Sequence, residues 1–162
     1  MNQEIKDKKR RKETVEWRIK TFNELSNDEL YEIIKLRSEV FVIEQQCIYE
    51  EYDGKDKKAY HLFGEKDGEI LAYLRILEKG VSFNEISIGR VLVTKKYRNK
   101  GLAKDMMSRA LEFIEDNLNE KVIRISAQEY LLNFYLSLGF VKVSQVYLED
   151  GIPHMEMLYN KL

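Results

Sequence analysis

The sequence predicts a mixed α/β domain: one sheet, antiparallel in its first part and parallel in its second, with helices on both faces. Three observations predict it. Val15–Phe22 alternates apolar and charged residues with period two, and an Asp67-Gly68 pair between two further apolar segments is a hairpin signal. Residues 30–41 and 102–118 repeat apolar residues at helical spacing. The elements follow one another as β α β β β α β α β β, so the last two helices lie between strands and act as crossovers.

Residues 1–14 (MNQEIKDKKRRKET) have the composition of a disordered charged arm, and 15–162 form a single domain long enough for a sizeable core. The basic run 8–12 fits a solvated tail or a contact with RNA or an acidic partner. Val15, Trp17 and Ile19 against Glu16, Arg18 and Lys20 read as a half-buried first strand. Ser26-x-x-Glu29 is a capping box, with Leu25 and Leu30 as its staple. Leu30, Ile33, Ile34, Arg37, Val40 and Phe41 then share one helical face, and the helix runs on toward Gln45. Residues 46–59 are a polar, tyrosine-bearing loop of the length that functional loops have. Strands follow at 60–65 and 69–77, then at 86–93, where Gly89 marks a bulge or a close backbone approach. A helix over 102–118, a strand over 122–127 and a second crossover helix over 130–138 come next, the last ended by Gly139. Strands at 140–147 and 154–159 flank a turn with the only proline.

Composition narrows the function. With 27 basic and 28 acidic residues, bulk charge does not drive nucleic-acid binding. One cysteine, Cys47, excludes an internal disulfide framework and a cysteine zinc site. With no signal peptide and no apolar run approaching the roughly 20 residues that span a bilayer, the expected place is the cytoplasm, with no membrane partner. His61 and His154 lack the spacing of metal ligands, so no metal is expected.

The stretch ISIGRVLVTKKYRNKGLAK (86–104) carries the chemistry. A strand runs into a basic loop that ends at Gly101, where an amphipathic helix starts. The first N–H groups of a helix have no partner within it, and the helix dipole places partial positive charge there. Alone, the stretch fits either an anion site or an ordinary turn with solvated lysines.

Arg98-x-x-Gly101-x-Ala103, five residues beyond Val93, resembles the acyl-CoA signature of the GCN5-related N-acetyltransferases, and Asn133–Phe140 (NFYLSLGF) resembles that family's C-terminal signature. The segments FVIEQQCIYEEYDGKDKKAYHL, IGRVLV, AQEYLLNFY and YLEDGIPHMEM resemble its ElaA-type branch, so that the resemblance covers almost all of 17–159. It implies a mostly antiparallel sheet of six to seven strands whose central parallel pair is splayed. It also implies acetyl-CoA as cosubstrate, a small-molecule or peptide primary amine as acceptor, direct attack in a ternary complex, and dimers as a common state. A non-catalytic acyl-CoA binding or sensing domain is the alternative.

By the same resemblance Val91 and Val93 pair with the pantetheine arm and the amide of Leu92 or Val93 meets the thioester oxygen. Arg98, Asn99, Lys100, Gly101, Leu102 and Ala103 hold the pyrophosphate, with Lys95, Lys96 or Lys104 near the 3′-phosphate. Gln128 and Asn133 serve the pantetheine amides, and Tyr135 is the acid beside the sulfur. Candidate bases for the acceptor ammonium are Glu44, His61, Glu149 and His154, with His61 equally readable as a core histidine. Arg75 and Arg90, on strands, need partners among Glu44, Asp53 and Asp56, whether to shape the acceptor pocket or only to hold structure.

Overall fold

A computed structural model describes residues 14–162, so the expected arm lies almost wholly outside the described residues. Strand β1 (Glu16–Thr21) leads through a 3₁₀ turn to helix α1 (Asn27–Arg37). Ser26 caps α1 by accepting from the Glu29 N–H while Glu29 returns to the Ser26 N–H, the predicted capping box. Beyond Arg37 the chain widens into a π-helical turn, Ser38–Glu44. Strands β2 (Ala59–Lys66) and β3 (Glu69–Leu77) form the hairpin, with Asp67 at φ 51° and Gly68 at φ 78°, the two left-handed residues of a tight turn matched to strand twist. Then come β4 (Ile86–Val93), α2 (Leu102–Leu118), β5 (Val122–Gln128), the short α3 (Leu132–Ser137), β6 (Val141–Lys142), β7 (Tyr147–Glu149) and β8 (Ile152–Asn160).

The sheet runs β1-β2-β3-β4-β5-β8-β6, with β7 also on β8. All neighbours are antiparallel except β4 and β5. The expected strand over 140–147 is two short pieces. After Lys142 the ladder keeps only the bond from the Val143 N–H to Glu156 O at 3.0 Å and then breaks, because the Ser144 hydroxyl, not a carbonyl, accepts the Glu156 N–H. The second crossover helix is shorter than its periodicity predicts, because Glu129–Leu131 wind as a 3₁₀ turn.

Two apolar layers sandwich the sheet. On one face α2 buries Met106, Met107, Ala110 and Ile114 against Leu62, Leu74, Ile76, Ile88 and Ile125, with Tyr135 and Phe140 joining from α3 and the residue stretch behind it. On the other, Ile33 and Leu36 of α1 and Phe41 meet Phe63, Ile70, Tyr73 and Leu92. α1 covers only the β2–β4 half of that face. No helix of the described residues is long and apolar enough to cross a membrane.

Candidate active site

The parallel pair β4–β5 is joined at two register positions only, Ile86 with Ile123 and Ser87 with Arg124. Beyond them β4 stays with β3, where Leu92 faces Tyr73 and Val93 faces Ala72, and β5 stays with β8, where Gln128 faces His154. The two inner edges therefore part and leave a crevice. Backbone groups alternate along a strand. Thr94 donates its N–H to Leu71 of β3 at 2.8 Å, so Thr94 and Leu92 face β3, and Val91 and Val93 face the crevice. That alternation corrects the expectation for Leu92: its N–H belongs to the β3 ladder, and its side chain is core beneath α1. The bulge foreseen at Gly89 is present, but its left-handed residue is Arg90 at φ 53°; a Cβ on Gly89 would meet nothing within 4 Å.

The crevice opens toward the N-terminus of α2. Gly101 caps the helix at φ 78°, a conformation that only glycine takes without strain, and a Cβ there would meet nothing within 4 Å. No side chain caps the helix, and its first internal bond is from the Asp105 N–H to Gly101 O at 3.1 Å, so the N–H groups of Leu102, Ala103 and Lys104 lack helical acceptors. Lys96 and Lys100 sit over the Tyr97 ring at 5.2 and 5.3 Å, with Lys95 and Lys104 exposed beside them. A cradle open at Gly101, free amides and four ammonium groups fit a diphosphate. An unpartnered strand edge fits the amide arm behind it. These residues match the chemistry of acyl-CoA.

Tyr135 lies on α3 with its ring T-shaped against Phe134 and Phe140, 5.1 and 5.8 Å between centroids. Burial pushes its phenol well above the usual value. The ring is enclosed, yet the hydroxyl is not among the buried polar atoms left without a partner. Asn133 is exposed on the same helix, and Gln128 ends β5 with a long 3.4 Å bond to Gln45.

The structure separates the candidate bases. Glu44 is forked by Arg98 at 2.5 and 2.9 Å, and that hydrogen bond holds its carboxyl below the usual range. His61 is 1% exposed. Its Nδ1 meets the Tyr73 hydroxyl at 2.7 Å and its Nε2 the Asp56 carbonyl at 2.9 Å, so both nitrogens are engaged, and burial lowers its pKa. His154 places Nδ1 2.7 Å from the Ile152 carbonyl and Nε2 3.2 Å from Glu149. Next to it, Ser126 of β5 touches the Tyr147 hydroxyl at 2.5 Å and Glu149 at 3.5 Å. Ser126, Tyr147, Glu149 and His154 thus form a polar strip on the half of the sheet that α1 leaves uncovered. Cys47 donates its thiol to the Asp150 carbonyl at 3.2 Å.

The long loop after the π-helical turn is held by an ionic knot. Arg37 of α1 meets Glu51 at 2.6 Å and Asp56 at 2.7 Å. Arg75 of β3 meets Asp53 at 2.6 Å and Asp56 at 3.0 Å, and Arg90 of β4 meets Glu51 at 2.8 Å. Burial pushes the Asp53 carboxyl up, but the hydrogen bonds and charge of Arg75 more than reverse this and leave it below the usual carboxylate range. Arg75 and Arg90 do find partners in this loop, whereas Glu44 goes to Arg98. Sequence reasoning missed Glu51 as a hub, Arg37 as a buried cation, and Ser126 and Tyr147 beside Glu149. The one available signal was a charged residue, Arg37, standing on an apolar helix face.

Comparison with known proteins agrees with this geometry. The acetyltransferase (GNAT) domain family model matches residues 16–161. The chain is 40% identical to protein ElaA of Escherichia coli over 145 residues, 88% of this chain and 95% of that one. An acyl-CoA N-acyltransferase from Pseudomonas aeruginosa superposes with a TM-score of 0.85 at 40% identity, covering 90% of this chain and 99% of that one. The crystal structure of Escherichia coli ElaA gives a TM-score of 0.85 at 38% identity, over 91% and 100% of the two chains. With its splayed parallel pair, its open helix mouth and these relatives, the chain belongs to the GNAT acetyltransferase family, in the ElaA-like branch.

Proposed function

We propose that this chain is an N-acetyltransferase that moves an acetyl group from acetyl-CoA to a primary amine by direct attack, with both substrates bound together. The observation that carries the reading is the edge of β4 at Val91 and Val93, turned to a crevice that ends at the bare N-terminus of α2. An extended amide chain adds to such an edge as a further strand would. Acetyl-CoA supplies an acyl group activated as a thioester.

The residues divide the work along the crevice. The amides of Asn99, Lys100, Gly101, Leu102, Ala103 and Lys104 receive the diphosphate, with the ammonium groups of Lys95, Lys96 and Lys104 available to the 3′-phosphate. Arg98 holds the loop that presents them. Val91 and Val93 pair with the arm, helped by Gln128 and Asn133. Because the phosphates sit beyond Val93, the thioester end falls toward Val91. The Val91 N–H is therefore the donor that stabilises the oxyanion as the amine nitrogen bonds to the carbonyl carbon. The C–S bond then breaks, and Tyr135 donates a hydrogen bond to the departing sulfur. Full proton transfer from a phenol near 10 to a thiolate near 8.5 is uphill by about 2 kcal/mol, and burial of Tyr135 adds to that, so the hydrogen bond is the useful part.

The amine must shed a proton from an ammonium near 10.4. With Glu44 and His61 engaged elsewhere, the polar strip of Ser126, Tyr147, Glu149 and His154 is the route by which that proton reaches solvent. The test is a screen of small amines and peptides for free-thiol release from acetyl-CoA, run on the wild type and on Tyr135→Phe together. The expected result is turnover with at least one amine and a drop of about 100-fold or more in the variant, with CoA affinity kept. Tight CoA binding with no thiol release across the panel would instead favour a binding or sensing domain.

A further inference from the structure

Residues 44–47 cross the open end of the crevice. Glu44 is forked by Arg98 on the β4 side, at 2.5 and 2.9 Å. One residue later Gln45 accepts from Gln128 at the tip of β5, at 3.4 Å. Cys47 then reaches Asp150 in the β7–β8 turn at 3.2 Å. Successive attachments land on both lips, so this segment is a strap and not a flap hung from one side. It keeps its own shape through bonds from the Gln46 N–H to Ile43 O and from the Cys47 N–H to Val42 O, at 3.2 and 3.1 Å.

Arg98 is the charged end of the strap. Its Nε–H also donates to Val93 O at 2.9 Å, so one guanidinium links the strap, the phosphate loop and the crevice edge of β4. Three of its donors are thus committed within the protein. The side chains of Arg98 and Glu44 are 34% and 41% exposed, so water competes for the pair and the fork opens readily. A fastener of that strength suits a strap that must let a ligand pass.

We propose that Arg98 and Glu44 form a latch that holds this strap across the crevice and sets how long CoA stays there, an inference that rests on the crevice being an acyl-CoA site. Arg98 is on this view a positioning residue that acts through Glu44. Its side chain does not serve as a phosphate ligand.

The test needs CoA alone. Its dissociation is followed by stopped-flow displacement of a fluorescent CoA by unlabelled CoA, for Arg98→Gln, Glu44→Gln and the double variant. Each single variant should release CoA about fivefold faster than wild type, and the double variant no faster than either single one. Unchanged release in Glu44→Gln, or a double variant whose effect is the product of the two, overturns the latch. Wild type that binds no CoA by calorimetry removes the crevice reading and the latch together, whereas binding without coupling removes the latch alone.

Discussion

Changing Glu51 to Gln tests the ionic knot at its hub. The Glu51 carboxylate is 2% exposed and takes Arg37 at 2.6 Å and Arg90 at 2.8 Å, with the Tyr49 hydroxyl as a third donor. Glutamine keeps the shape but leaves three guanidiniums facing two carboxylates, and Arg37, only 1% exposed, loses its nearest counter-charge. Removing one partner of a buried pair costs about 3–5 kcal/mol. Arg90 is 23% exposed and can turn to water, which places the loss near the lower end, about 3 kcal/mol. A domain of this size loses roughly 2–4 °C of melting temperature per kcal/mol, so the midpoint should fall by about 6–12 °C. Circular dichroism melts of Glu51→Gln, with the exposed neighbour Glu50→Gln as control, make the measurement. A fall of under about 2 °C, or an equal fall in the control, would show that the knot does not act as a charge-balanced unit. Adding Arg90→Met to Glu51→Gln restores two cations against two anions and should recover part of the loss.

Two further outcomes follow from the site and the core. Gly101→Ala forces a side chain to φ 78° and places a methyl in the open cradle, so CoA affinity should fall by about tenfold while the melting temperature shifts by only a few degrees; unchanged affinity by calorimetry would mean that phosphates do not approach this backbone. His61 resists protonation in the fold, whereas the unfolded chain takes a proton near pH 6.5, so the unfolded state binds more protons below that pH. Wild-type stability should accordingly decline as pH falls from about 6.5, and His61→Gln should flatten that decline. Urea midpoints at several pH values check it, and a wild-type midpoint constant through this window refutes it. Asp53 and Asp56, both held below the usual carboxylate range, stay ionised there, and their contribution goes only below about pH 4.

What the sequence revealed was local or periodic. The Ser26–Glu29 box, the Asp67-Gly68 turn and the 102–118 helix are set by neighbours within a few residues, and each stands where its pattern places it. The motif around Gly101 was legible for the same reason, since a strand, a turn and a helix start lie within 20 consecutive residues. What stayed hidden was paired across distance. Arg37 reads as one more position on an apolar helix face, and only the return of residues 51–56 shows its charge to be buried and matched. Of the two inner-edge amides expected, Leu92 and Val93, parity removes the first: a strand pattern tells which side chains share a face, but the ladder to β3 decides which N–H groups turn outward. The break after Lys142 was invisible because it depends on a serine hydroxyl standing in for a backbone acceptor.

The two-position union of β4 with β5 has a mechanical consequence. The molecule is built as two stiff antiparallel blades, β1 to β4 and β5 to β8, riveted at Ile86–Ile123 and Ser87–Arg124. Met106, Met107, Ala110 and Ile114 lie in the apolar layer that spans both blades and so back that short joint. Anything wedged between the blades works against that short joint, the Glu85–Arg124 ion pair at 3.0 Å beside it and the attachments of residues 44–47 across the mouth.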